Sequence, residues 1–94
     1  MNDIFNLNIK KWVCVNAKNI IWDLDGYDAD LPDNIYDIEV EIDFDVDPYE
    51  RWCEGGGETG FDILYGTLVD QLSDEYGFCV ISVENVEIIK VIRY

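Results

Sequence analysis

Carboxylates are the groups best placed to do chemistry in this sequence. The chain carries 21 acidic residues, no histidine and three cysteines among 94 residues. Asp23, Asp25, Asp28 and Asp30 fall close together, and Asp23-Leu24-Asp25-Gly26 directly follows the apolar Ile20-Ile21-Trp22. Such a cluster suggests either carboxylate nucleophile and acid/base chemistry or a divalent cation held by oxygen. The cation loop fails on spacing. An EF-hand with Gly26 as its conserved glycine would begin at Ile21 and end at Pro32, where it needs an acid at each end. The absence of histidine removes the Ser-His-Asp and Cys-His arrangements and the commonest metal ligand. Cys14, Cys53 and Cys79 are odd in number and none forms a Cys-x-x-Cys pair, so they predict free buried thiols in a reducing cytosol rather than a zinc site or a disulfide framework. Gly55-Gly56-Gly57 is flanked by Glu54 and Glu58 and followed by no Lys-Ser or Lys-Thr, which makes it a flexible loop and not a phosphate cradle. No cofactor is expected.

Residues 20–26 resemble the first motif of haloacid-dehalogenase-type phosphatases, an apolar strand followed by Asp-x-Asp-Gly. The resemblance implies a nucleophilic Asp23 and an acid/base Asp25. Tyr27 stands where that family has threonine, no later lysine with paired acids completes a magnesium site, and the chain is too short for a doubly wound domain. A strand ending in an Asp-Gly turn is the reading the residues support, and the chain is expected not to be an enzyme. A second resemblance covers Trp22-Asp23-Leu24-Asp25-Gly26 with Leu31-Pro32, and Leu72-Ser73-Asp74-Glu75-Tyr76-Gly77-Phe78. Together these are similar to a pattern in short uncharacterised acidic proteins of bacteria and their phages. That resemblance implies a shared fold and no activity.

The acids are unevenly spread. Twelve lie between Asn19 and Glu50 with no base among them: Asp23, Asp25, Asp28, Asp30, Asp33, Asp37, Glu39, Glu41, Asp43, Asp45, Asp47 and Glu50. Arg51 is the one base between Asn19 and Ile89. Within this run, Tyr36, Ile38, Val40, Ile42, Phe44 and Val46 alternate with Asp37, Glu39, Glu41, Asp43, Asp45 and Asp47. Alternation with period two predicts a strand with one buried face and one acidic face. Side chains two residues apart stand ~6.6 Å from each other, so six carboxylates on a regular strand make a row ~33 Å long.

Other elements must hold that row in place. Phe5, Leu7, Ile9, Lys11, Val13 and Val15 share one parity and predict a strand over 4–15; Asn16–Asn19 reads as a turn and Ile20–Trp22 as a returning strand. Gly26–Asn34 is a loop by composition, and Pro48 ends the acidic strand. Thr59 with Asp62 is a capping-box start for a helix whose apolar stripe is Phe61, Leu64, Tyr65, Leu68, Val69, Leu72 and Tyr76, with Gly77 as its left-handed cap. Phe78–Val83 and Val86–Tyr94 form either two strands around Glu84-Asn85 or one long bent strand. The order β-β-β-α-β-β gives an α+β fold: one acidic domain over 1–94, with an antiparallel sheet of four to five strands and one helix packed on one face.

The net charge of −15 excludes direct binding to nucleic acid or to an anionic membrane and favours a basic partner. The aromatic and β-branched content separates the chain from a disordered acidic tail. Neither a signal peptide nor a membrane span is visible, so a cytoplasmic location is expected, that of the host cell if the gene is a phage's. By class, the chain resembles the DNA-mimic inhibitors of phages and mobile elements, which include anti-CRISPR and anti-restriction proteins. The resemblance implies a viral inhibitor that occupies the basic nucleic-acid channel of a CRISPR-Cas effector or another defence nuclease. Its candidate contacts are Asp37, Glu39, Glu41, Asp43, Asp45 and Asp47, supported by Asp70, Asp74 and Glu75. The last three sit in the C-terminal half of the helix, where the macrodipole disfavours negative charge. The alternative is an acidic protein–protein interaction or immunity-type domain with no nucleic-acid connection.

Overall fold

The computed structural model describes residues 9–92. Three antiparallel strands, β1 (Lys10–Asp23), β2 (Ile35–Asp43) and β3 (Cys79–Ile92), form one sheet in the order β2-β1-β3. The helix α1 (Gly60–Tyr76) connects β2 to β3 and packs on one face. The class is α+β as the sequence predicts, but the order is β-β-α-β with three strands. The part of the expected first strand before Ile9, and the end of the last at Arg93-Tyr94, lie outside the described residues.

The strand count falls short for two physical reasons. Asn16–Asn19, expected as a turn, is an interior stretch of β1. Asn19 takes a positive φ of 56°, a conformation its short polar side chain tolerates. That residue changes the phase of the strand, since Val13, Val15 and Ala17 point into the core before it and Ile20 after it. Its amide donates to Asn34 Oδ1, and the amide of Ile20 donates to the Asp33 carbonyl, so the loop takes over the side of β1 that β2 leaves. At the other end, Glu84-Asn85 does not turn the chain. Of the two readings of 78–93, the long strand is the one observed, with Asn85 opposite Lys18 and Val83 opposite Ile20.

The core lies between the sheet and α1. Leu64, Leu68 and Leu72 are fully buried at four-residue spacing against Val13, Val15, Ala17, Val40, Ile42, Val83 and Val86. Phe61, Tyr65, Val69 and Tyr76 complete the expected stripe as half-buried flanks. Thr59 and Asp62 form a reciprocal capping box, and Gly77 ends the helix with φ 79° while its amide donates to the Ser73 carbonyl. Among the described residues no helix is long and apolar enough to cross a membrane.

Candidate functional site

The acidic strand begins as the alternation requires. Ile38, Val40 and Ile42 are buried, and Asp37, Glu39, Glu41 and Asp43 are exposed on the sheet face that α1 does not cover. It is shorter than the row of six. β2 ends at Asp43, a turn follows at Phe44-Asp45, and neither Tyr36 nor Phe44 is buried. At the front end, β2 sets Tyr36 and Asp37 against the single residue Asn16, since Val15 pairs with Ile38 and Ala17 with Ile35. Asp37 takes φ 57° in this bulge and its amide donates to Asn16 Oδ1. At the far end, Lys11 lies buried with its Nζ 5.7 Å from the centre of the Phe44 ring.

Two of the predicted site acids, Asp43 and Asp47, have structural employment, and so does the neighbouring Glu50. Asp43 forms an ion pair with Lys10, its partner across the ladder; that carboxylate raises the Lys10 pKa above the ordinary lysine value by accepting its hydrogen bond. Asp47 lies beyond the strand: its side chain accepts the amide of Tyr49, its carbonyl accepts the amide of Glu50, and its backbone packs against Gly60. Glu50 accepts the amide of Gly60 through its carboxylate and that of Phe61 through its carbonyl, which places a negative charge on the helix N-terminus. Asp45 is exposed in the turn. Glu39 and Glu41 therefore form the regular centre of the row, and neither side chain has an ion-pair partner among the described residues.

The open face is banded rather than uniformly acidic. Across the three strands, Glu39 faces Cys14 and then Lys90, while Glu41 faces Trp12 and then Ile92. Acids alone occupy the β2 margin, while the β3 margin mixes Lys90 and Ile92 with Glu87. Asp70, Asp74 and Glu75 are exposed on α1, which lies on the other face of the sheet, so the structure does not bring them into one surface with Glu39 and Glu41.

The two sequence pieces around residues 22–26 and 72–78 meet in space. Trp22 packs edge-on against Tyr76 with ring centres 5.3 Å apart and donates its indole N–H to the Pro32 carbonyl. Tyr27 packs against Phe78 at 6.4 Å. Asp23, Asp25, Tyr27, Gly77, Phe78 and Cys79 line a shallow recess of about 330 Å³. The Asp-x-Asp-Gly stretch has a structural explanation here. Asp23 Oδ1 accepts the amide of Asp25, Asp25 and Gly26 have φ 50° and 82°, and the amide of Tyr27 donates to the Leu24 carbonyl. Positive φ at both central positions is the signature of a type I′ turn, which favours Asp-Gly. The antiparallel sheet is also not the doubly wound fold of the phosphatases that this motif resembles.

Among the described residues no three His, Cys, Asp or Glu side chains converge to hold a metal ion. The three cysteines are free, but only Cys14 is buried; Cys53 is half-buried and Cys79 exposed, which corrects the expectation that all three are core residues. Cys53 sits in the glycine loop and Cys79 at the first position of β3, where alternation turns it away from the core taken by Val80. Sequence patterning also missed two exposed aromatic side chains in the loop before α1, Tyr49 and Trp52, the latter 75% exposed. Their setting among Asp45, Asp47, Glu50 and Glu54 was the available signal. No protein-family model, curated protein or solved structure matches the chain.

Proposed function

We propose that this chain is a DNA-mimic inhibitor that occupies a basic nucleic-acid-binding channel of a defence nuclease, with a CRISPR effector as the first target class and a restriction enzyme as the next. The observation that carries the reading is the one-sided charge: twelve acids and no base from Asn19 to Glu50, with Glu39, Glu41 and Asp43 aligned on an open sheet face. Carboxylates ~6.6 Å apart along a strand offer Lys and Arg side chains a track of negative oxygens like that of a nucleic-acid backbone. Binding is by occlusion. Multiple carboxylate–guanidinium and carboxylate–ammonium pairs hold the groove that phosphates would otherwise enter. Glu39 and Glu41 are the central contacts, with Asp37 and Asp43 at the ends of the strand row and Asp45 and Asp47 at its continuation. Asp70, Asp74 and Glu75 belong to a separate face and engage only a partner that wraps the molecule.

The test is competition with DNA for a purified guide-loaded CRISPR effector, read as target cleavage and as binding. Wild-type protein is expected to block cleavage and to be displaced by excess target DNA. The E39Q/E41Q/D43N variant is expected to lose inhibition, because partner bases left unpaired in a desolvated contact cost ~2–5 kcal/mol. The D28N/D30N/D33N variant makes the same change in net charge in the loop and is expected to retain inhibition with slower association. Equal loss in both variants makes total charge the active quantity, and no loss in either removes the row from the contact.

The banded face and the exposed Trp52 and Tyr49 favour a second reading, an acidic interaction domain or immunity-type partner of a basic protein with no nucleic-acid connection. Aromatic anchors among charges are common in protein–protein contacts. Under that reading DNA does not compete, and W52A weakens binding more than the loss of Glu39 and Glu41.

A further inference from the structure

The two edges of the sheet have opposite character. On β2, the open face carries Asp37, Glu39, Glu41 and Asp43, so pairing two β2 edges sets carboxylates against carboxylates. The first half of β3 is covered by the helix: the amide of Val80 donates to Ser73 Oγ at 3.1 Å and that of Val83 to Tyr65 Oη at 2.7 Å. From Glu84 to Ile92, no strand or helix hydrogen-bonds to β3 on the side away from β1 among the described residues. This uncovered half contains Val86-Glu87-Ile88-Ile89-Lys90-Val91-Ile92. Five of these seven residues are β-branched aliphatics, none is Pro or Gly, and Glu87 and Lys90 cancel to zero charge within a chain of −15. An edge of that composition is a template for another strand.

We propose that the occupant of this edge is a second copy of the chain, with β3 pairing antiparallel to β3 about a two-fold axis. The argument for a second copy is self-complementary charge. Residues three apart normally face opposite sides of a strand. Here Ile89 is the extra residue of a bulge, because Ile88 pairs with Val15 and Lys90 with Cys14. The bulge brings Glu87, opposite Asn16, and Lys90, opposite Cys14, to the same open face. Glu87 accepts a hydrogen bond from Asn16 Nδ2 at 2.9 Å and lies 3.9 Å from Lys18 Nζ. In the register that places Glu87 opposite Lys90 of the second copy, the symmetry makes that pair twice, sets Ile88 against Ile89 twice and Val86 against Val91 twice. Registers that superpose Glu87 on itself oppose like charges. The bulge residue Ile89, 45% exposed in the monomer, becomes central to the contact. Such an isologous contact closes on itself. It makes a six-stranded sheet in the order β2-β1-β3-β3-β1-β2, with the acidic strands as its two outer edges.

Sedimentation equilibrium and light scattering on the full chain, from micromolar to millimolar, test the proposal. The expected result is a reversible monomer–dimer equilibrium that starts from the 10.9 kDa monomer and strengthens as sodium chloride screens the repulsion between two acidic chains. K90E is expected to raise the dimer Kd at least tenfold, and E87K/K90E to restore it, with circular dichroism and urea unfolding confirming that each variant is folded. A monomer at every concentration and salt level overturns the proposal. So does a dimer indifferent to K90E, and so does a double variant that fails to recover. Binding to a basic nuclease weakens with salt, whereas this self-association strengthens, so the failure of one reading is separable from the failure of the other.

Discussion

At the scale of single residues, glycine and acid positions that look alike in the sequence have different physical roles. A Cβ on Gly60 would lie 1.7 Å from the Asp47 carbonyl oxygen, so the first turn of α1 can pack on the 47–50 loop only if that residue has no side chain. Gly66, in the same helix, is exposed, and a Cβ there would meet nothing within 4 Å. G60A is therefore expected to destabilise by about 3 kcal/mol, since main chain rather than a flexible side chain must move. G66A is expected to stabilise by about 1 kcal/mol through helix propensity alone. Urea midpoints at unchanged m-value measure both; a small effect of G60A would show that the loop does not press on the helix as described. The same contact explains why Asp47 and Glu50 could not be told from their neighbours by pattern. Their partners, the amides of Tyr49 and Gly60, are fixed by the fold-back of a loop, and a hydrophobic alternation carries no record of it.

At the scale of elements, what could be read depended on periodicity. The helix, its capping box, its glycine cap and its buried stripe were legible, because each is a local signal with a fixed spacing. The buried trio Ile38, Val40 and Ile42 was legible for the same reason. The division of β1 into two strands was an error of phase. Val13, Val15 and Ala17 occupy odd positions and Ile20 an even one, and a change of parity marks a bulge or flip as readily as a turn. Asn19 makes the flip within a continuous strand. The prediction that follows is that N19G leaves stability unchanged within a few tenths of a kcal/mol or slightly reduced, while N19V costs about 1–2 kcal/mol because a β-branched side chain resists positive φ. Thermal unfolding of the two variants measures this; the backbone amide that donates to Asn34 Oδ1 is kept in both, so the difference between them reports the cost of positive φ. The acidic row was legible in its centre, at Glu39 and Glu41. Its ends were not, because the Asp37 bulge and the turn after Asp43 arise from pairing with β1 and from the connection to α1, and the alternation continues through both without a break.

At the scale of the whole molecule, the acidic charge opposes folding, and under the proposed function it drives binding, so salt acts on the two in opposite directions. Only two ion pairs are formed among the described residues, Lys10–Asp43 and Lys18–Glu87, against a net charge of −15. Adjacent carboxylates on the row, ~6.6 Å apart, repel by about 0.6 kcal/mol in water before screening. The unfolded chain spreads those charges and relieves the repulsion, so it opposes folding. At 0.1 M ionic strength the screening length is ~10 Å, short enough to weaken the sum over distant acids while removing little from two close pairs. The urea midpoint is accordingly expected to rise from low salt to moderate sodium chloride, with most of the gain at the low end where screening changes fastest. The E39Q/E41Q variant, which keeps the Lys10–Asp43 pair, is expected to start higher and to rise less, because two of the charges that generate the slope are gone. Affinity for a basic partner is expected to fall over the same range, mainly through slower association. A midpoint indifferent to salt in the wild type would mean that the acids do not repel one another appreciably in the folded state. The ordered field on which the mimic reading depends would then be absent, whatever the sequence count of carboxylates.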